Sequence, residues 1–252
     1  MPIDEHAIIE PRKGKHEELL PQLAVLVFTP QDVELFLHHS PSLQKRSQRF
    51  YLSDVYTGSP QDVPLAVVGP MLGAPQTVLV LEKLIALGVT RVLAAGWCGS
   101  LQTHVKIGDL VLPTGAFSDE GTSPHYPVEA TRPGPSPELF NTLKEVLAAE
   151  EHPVHEGMVW STDAPFRETK KKVMNYQQKG ALAVEMETSA LFTVAAFRNI
   201  HLAAALVVSD DLSALKWVHG FRDRRFMRTR ENLMQSLLRV VSSTMQGKMS
   251  KG

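Results

Sequence analysis

The chain has 252 residues, 43% of them hydrophobic, and its 26 Lys and Arg are balanced by 27 Asp and Glu. That length and apolar content suffice for one large α/β domain over residues 1–252, and a formal charge of -1 offers no basic surface for nucleic acid or an acidic membrane, so a small molecule is the expected partner. The lone Cys98 excludes an intramolecular disulfide, and Met1 to His16 has neither a signal-peptide core nor a membrane span of about 20 apolar residues, which makes cytoplasm the default compartment.

Residues 1–20 read as an N-terminal extension. Beyond them, short β-branched and leucine-rich runs alternate with longer helical patterns, as in strands packed between helices. Strands are predicted over Leu23–Phe28, Leu65–Gly69, Val89–Ala95, Asp109–Thr114, Val154–Ser161, Ala181–Glu185 and Leu202–Ser209. Between them, Pro75–Leu87 is predicted helical: it opens on a proline suited to a first turn and stops at Gly88. Further helices are expected over Pro137–Glu150, Phe166–Gln178, Met186–Asn199 and Arg222–Met245, the last with Leu233, Leu237, Val240 and Val241 as its apolar residues. Phe117–Pro137 lacks periodicity and reads as a long surface loop, and residues 247–252 as a disordered tail.

Three constellations stand at predicted strand ends, where ligands of α/β sheets gather. Gly96-Trp97-Cys98-Gly99-Ser100 follows the strand ending at Ala95; its glycines permit a tight turn whose N–H groups face an anion or a sugar, although an ordinary strand-ending turn has the same composition. Val184-Glu185-Met186-Glu187 lies at a strand-to-helix junction. Burying two carboxylates there is costly unless a helix N-terminus or ligand hydroxyls meet them, while a plain preference for acids at helix starts is the bland alternative. Ser209-Asp210-Asp211 ends the apolar run Leu202–Val208. Such residues cap turns, and adjacent acids also raise each other's pKa, which suits a general acid near neutral pH.

Other signals carry less. The histidines form no metal-binding helix pair, so no metal is implied. Arg222, Arg224, Arg225, Arg228 and Arg230 read as a solvated helix face, as do Lys170–Lys172, and Cys98 reads as structural.

In this order and spacing, the glycine segment, the Glu185-Met186-Glu187 segment and the Ser209-Asp210 strand end resemble the nucleoside phosphorylase and nucleosidase family over residues 23–245. Leu72-Gly73-Ala74-Pro75, Lys106-Ile107-Gly108-Asp109-Leu110-Val111 and Ser161-Thr162-Asp163-Ala164-Pro165-Phe166 add to the resemblance. It implies a single three-layer α/β/α domain about a mixed central sheet, cleavage of the N-glycosidic bond of a nucleoside, and no cofactor, with inorganic phosphate or water as acceptor. It also implies a homo-oligomer, a dimer or a hexamer.

By similarity, Glu187 would bind the ribose hydroxyls and stabilise oxocarbenium-like charge in the transition state, with Met186 and Trp97 beside the sugar and Glu185 supporting the segment. Phe166 would stack on the base, a core phenylalanine being the alternative. Asp210 would protonate N7 of a departing purine, which makes a purine the expected base and uridine-like pyrimidine activity the alternative. Gly96, Cys98, Gly99 and Arg49 (or Arg46) would form the phosphate or water site. The chain departs from the phosphorylase pattern there: Thr29–Leu35 holds neither the glycine nor the arginine of that pattern, and Ala94 and Trp97 replace an arginine and a hydroxyl residue. Those departures resemble the hydrolytic branch, with Glu34 as candidate general base for water. A dinucleotide-binding oxidoreductase fails for want of glycines in Thr29–Leu35, and a non-catalytic nucleoside-binding relative would be expected to have lost Glu187 or Asp210.

Overall fold

The computed structural model describes residues 7–128, 133–150 and 152–249, the last five as backbone alone; Met1–His6, part of the long loop (129–132) and the tail 250–252 lie outside the described residues. Strand β1 (Leu23–Val27) is apolar and wholly buried, as expected of a strand covered on both faces. After α1 (Pro30–His38), the hairpin β2 (Gln44–Phe50) and β3 (Ser53–Gly58) leads to β4 (Leu65–Gly69), which lies parallel to β1. Next come α2 (Gly73–Ala86), β5 (Arg91–Ser100), β6 (Leu110–Asp119), α3 (Pro137–Leu147), β7 (Val154–Thr162) and α4 (Lys170–Gln178). The chain continues through β8 (Ala183–Glu185), α5 (Thr188–Phe197), β9 (His201–Asp211), β10 (Val218–His219) and α6 (Arg224–Met249).

Period-2 alternation sorts the strands between two helical layers. Leu23, Val25 and Val27 face outward to Phe36 of α1, Leu143 of α3 and Leu237 of α6, whereas Ala24 and Leu26 face Leu81 of α2 and Phe192 of α5. The expected mixed three-layer α/β domain is therefore present. Half of its sheet has a further property: β5 pairs with β9, β9 with β6, β6 with β7, β7 with β8, and β8 returns to β5. These five strands form a closed ring, and each contributes to one interior cluster, through Cys98, Val208, Val111, Val159 and Ala183. β1, β4, β3 and β2 continue from β5 as an open sheet.

Several elements differ from expectation. Thr29–Leu35, not among the expected helices, enters α1, where the Thr29 hydroxyl accepts from Asp32 N at 3.2 Å and Pro30 opens the first turn. β2 is mostly polar and exposed on alternate residues, so it carried no apolar run to mark it. Phe117–Asp119 extends β6 instead of starting a loop. Phe166 sits in a short 3-10 turn (Pro165–Arg167), and α4 begins only at Lys170, with Thr169 capping Lys172 N. α6 runs through 247–249, part of the expected disordered tail. Part of the N-terminal extension is tied down, since Lys83 donates to Arg12 O at 2.9 Å and to Glu17 at 2.5 Å. Among the described residues no helix is long and apolar enough to cross a membrane.

Candidate active site

The register of the closed ring brings the three constellations together. Gly99 on β5 lies opposite Val184 of β8 on one side and Asp210 of β9 on the other. A cleft of about 490 Å³ opens over this junction, walled by Trp97, Phe166, Glu168, Met186, Asp210 and Trp217 among others. Gly96–Ser100 does not form the expected tight turn; it continues β5 to Ser100 in extended conformation. Its glycines serve close packing instead. A Cβ at Gly96 would lie 2.3 Å from the Phe28 ring, and one at Gly99 would lie 2.7 Å from Leu212 and 3.0 Å from Asp210 Oδ2. Cys98 also lines the cleft, but burial pushes its thiol well above its usual range, which leaves it protonated and inert.

Asp210 is the acid at the cleft wall. The Ser209 hydroxyl donates to Oδ1 at 2.6 Å and the Trp217 indole N–H to Oδ2 at 2.9 Å. β10 pairs antiparallel with Asp210 and Asp211, and this return of the chain is what carries Trp217 back to the carboxylate. Burial raises the Asp210 pKa, with the neighbouring Asp211 adding to it, and the two hydrogen bonds oppose the rise.

Glu185 and Glu187 occupy different environments. Glu185 accepts from Glu187 N at 2.8 Å, from Thr188 N and Oγ1 at 2.7 Å each, and from the Ser161 hydroxyl. It thus satisfies the opening N–H groups of α5, where the helix dipole favours an anion. Burial raises its pKa and these donors hold it back. Glu187 accepts from Gly73 N at 2.6 Å, and burial together with the charge of Glu185 pushes it up to about 8. Gly73 has φ +77°, so the Leu72-Gly73-Ala74-Pro75 segment aims a backbone donor that a side-chain-bearing residue would strain to provide. Glu187 itself is 5% exposed and is not among the residues that line the cleft, whereas Met186 is. Phe166 is fully exposed and lines the cleft, so it is no core residue.

Gly96 and Glu187 are not among the lining residues, and Glu34, Arg49 and Arg46 stand apart from the cleft altogether. Glu34 is exposed on α1 and borders a separate hollow with His38 and Met227. Arg49 pairs with Asp54 at 2.8 Å in the β2–β3 hairpin, Arg46 pairs with Glu18, and neither lines the cleft. The carboxylate that reaches the cleft wall from α1 is Asp32, which accepts from Trp97 Nε1 at 2.6 Å and from the Thr29 hydroxyl at 2.9 Å. Arg230 completes the cluster, donating to Asp32 through Nε at 2.8 Å, with its guanidinium 4.7 Å from the centroid of the Trp97 ring. The expected solvated arginine face of the last helix is accordingly divided: Arg230 is buried, and Arg225 pairs with the buried Asp109. Lys172 likewise pairs with Asp119 at 2.7 Å. Among the described residues no group of His, Cys, Asp or Glu is placed to hold a metal ion.

The sequence profile of the phosphorylase superfamily matches residues 22–244. The chain belongs to that superfamily. It is 31% identical over 153 residues to a guanosine phosphorylase of Halorubrum lacusprofundi, a match spanning 60% of this chain and 62% of that protein. It is 32% identical over 165 residues to a DeoD-type purine nucleoside phosphorylase of Bacillus cereus, spanning 62% of this chain and 68% of the relative. Uridine phosphorylase from Vibrio fischeri shares the fold at a TM-score of 0.80 and 23% identity, over 89% of this chain and 93% of that one. Purine nucleoside phosphorylase from Toxoplasma gondii, in complex with immucillin-H, does so at 0.80 and 17%, over 90% and 93%.

Against this phosphorylase fold, the cleft has its own character. Among the described residues, its ionisable lining is Cys98 and the acids Glu168, Glu185 and Asp210, with no Lys or Arg. Three contributors escaped the sequence reading. Asp32 was signalled only by the Thr29-Pro30 start of a helix. Glu168 and Trp217 lie outside any recognisable motif, and only the folded chain shows where they stand.

Proposed function

We propose that this chain cleaves the N-glycosidic bond of purine nucleosides. The observation that carries this reading is Asp210: a sheltered carboxyl at the cleft wall, held by Ser209 and Trp217, whose pKa burial raises, the direction that favours a proton donor. A purine leaves readily once N7 is protonated, and a pyrimidine has no such nitrogen. Phe166 offers an exposed ring for stacking on the base. As the bond to the base breaks, positive charge builds on the ribose, and the carboxylate of Glu185, which lines the cleft beside Met186 and is held by the opening N–H groups of α5, would stabilise that charge more than the neutral ground state. The names of the guanosine and purine nucleoside phosphorylase relatives support the same base class.

Water as acceptor is favoured by the lining of the cleft: among the described residues it holds acids and no Lys or Arg, and Arg230, over the Trp97 ring, is engaged by Asp32. A phosphate dianion would meet repulsion there without a cationic fork to hold it. We extend the proposal to a homo-oligomer, supported by the exposed large apolar side chains Tyr51, Leu52, Leu72, Leu79 and Phe197, which a second copy would cover.

Base release by liquid chromatography from inosine, guanosine, adenosine, methylthioadenosine and uridine, with and without phosphate, tests the reading. Purine release yielding free ribose is the expected result. Release that requires phosphate and yields ribose 1-phosphate would replace water by phosphate as acceptor. Cleavage of uridine alone, or of nothing, would overturn the proposal.

A further inference from the structure

Both carboxylate oxygens of Asp210 are taken up by donors. The Ser209 hydroxyl reaches Oδ1 at 2.6 Å and the Trp217 indole N–H reaches Oδ2 at 2.9 Å, and both bonds favour the anion over the acid. The two donors are held very differently. Ser209 is buried, with its hydroxyl also 3.2 Å from Cys98 O. Trp217 lines the cleft but is 59% exposed, and it rides on the turn between β9 and β10. The ends of that turn are fastened, since Leu212 N donates to Ser100 O at 2.9 Å and Gly220 N to Ser209 O at 2.8 Å. Between them Leu215 takes φ +58°, a left-handed conformation that strains a residue with a side chain, and both residues of β10 are exposed.

A general acid must approach the atom it protonates to about 3 Å. Oδ1 faces the buried Ser209, so Oδ2 is the oxygen open to N7 of a purine, and the indole N–H stands on it. From this geometry we infer that Trp217 is a latch on the proton donor: it caps Asp210 Oδ2 in the substrate-free protein, and an entering purine displaces the ring and takes that oxygen for N7. The inference rests on the reading above in which Asp210 protonates the departing base. With the indole gone, a bond that favoured the anion is lost, and the carboxyl takes up a proton from solvent. That proton passes from Oδ2 to N7 as the glycosidic bond breaks, and the electron pair of the bond stays with the base. The carboxylate left behind recovers the indole when the base departs. Trp217 is thus a positioning residue that acts through Asp210. The other titratable groups around Asp210 are Asp211, His219 on β10, Glu168 ahead of α4, Cys98 on β5 and Glu185 on β8.

The test measures kcat and kcat/KM against pH for the purine nucleoside that the release assay selects, in the wild type, Trp217→Phe and Asp210→Asn. The profile of kcat/KM reports the free protein and that of kcat the substrate complex. Trp217→Phe keeps a ring but removes the N–H, so the alkaline limb of kcat/KM should move up by about one pH unit, the effect of losing one hydrogen bond to a carboxylate. The limb of kcat should keep its position, because the base has already displaced the indole. Phe221→Leu disturbs the same aromatic wall without touching the hydrogen bond and should move neither limb. Limbs that both move, or both stay, in Trp217→Phe overturn the inference while the glycosidic reading stands. An alkaline limb that survives Asp210→Asn removes Asp210 as donor and the latch with it. If the wild type cleaves no nucleoside, the indole N–H resonances of its three tryptophans decide, with that of Trp217 assigned by its loss in Trp217→Phe. A Trp217 resonance shifted by inosine in the wild type and not in Asp210→Asn keeps the latch and removes the catalytic reading. Inosine that shifts only the other indoles overturns the latch, and inosine that shifts none removes both.

Discussion

Removing the carboxylate of Asp32 should be among the most damaging single changes available in this chain. The Asp32 and Arg230 side chains are 2% and 4% exposed, and Asp32 accepts from Arg230, Trp97 and Thr29 together. Asp32→Leu leaves a buried guanidinium with no counter-charge, a loss of about 3–5 kcal/mol. Arg230→Met strands the opposite charge; Trp97 and Thr29 still donate to it, so the cost falls toward the lower end of that range. In the double variant Asp32→Leu/Arg230→Met neither charge remains, and the main residual cost is the Trp97 N–H left without an acceptor, about 1–3 kcal/mol. The double variant should therefore be more stable than either single one. Urea unfolding followed by circular dichroism at fixed protein concentration measures all four corners of the cycle, with constant m-values as the control. Single variants that lose less than about 1 kcal/mol, or losses that add in the double variant, would refute the claim that this buried pair holds Trp97 at the cleft wall.

Two further outcomes follow from the acids. Asp210→Asn keeps the shape of the site but cannot deliver a proton, so purine release should fall by about 10²–10⁴-fold. Because the protonated form is the donor, wild-type kcat should decline as pH rises through the raised Asp210 pKa, and that alkaline limb should vanish in the variant; a retained limb would assign it to another group. Glu187, raised from 4.5 to about 8, binds its proton more tightly in the folded chain, so its contribution to stability is complete below pH 4.5 and is lost as pH rises toward 8. Urea midpoints should thus fall over that range in the wild type and vary less in Glu187→Gln, and parallel curves would contradict the burial of this carboxyl.

The local rules of chain folding were readable without coordinates. Apolar runs marked β1, β4 and β9, a proline and a glycine bracketed α2, and the Glu185-Met186-Glu187 and Ser209-Asp210 segments stood out because acids beside apolar runs demand partners. What failed locally failed for physical reasons. β2 and β3 hold their place by pairing with each other and with β4, a non-local bond pattern that an exposed polar sequence does not announce. The glycines at 96 and 99 look like turn residues, yet their purpose is contact with Phe28 and Leu212, partners distant in sequence.

The composition of the cleft was a tertiary decision throughout. Closure of β5, β9, β6, β7 and β8 into a ring set Gly99 between Val184 and Asp210, and so joined segments that the sequence presents as three separate strand ends. The return of β10 brought Trp217 to Asp210, and the docking of α6 against α1 gave Arg230 to Asp32 in place of solvent. Sequence determines which side chains can carry charge, donate or stack. Which of them lose water, and which charge stands next to which, depends on packing between distant elements, and that packing raised the pKa of Glu168 and satisfied that of Glu185.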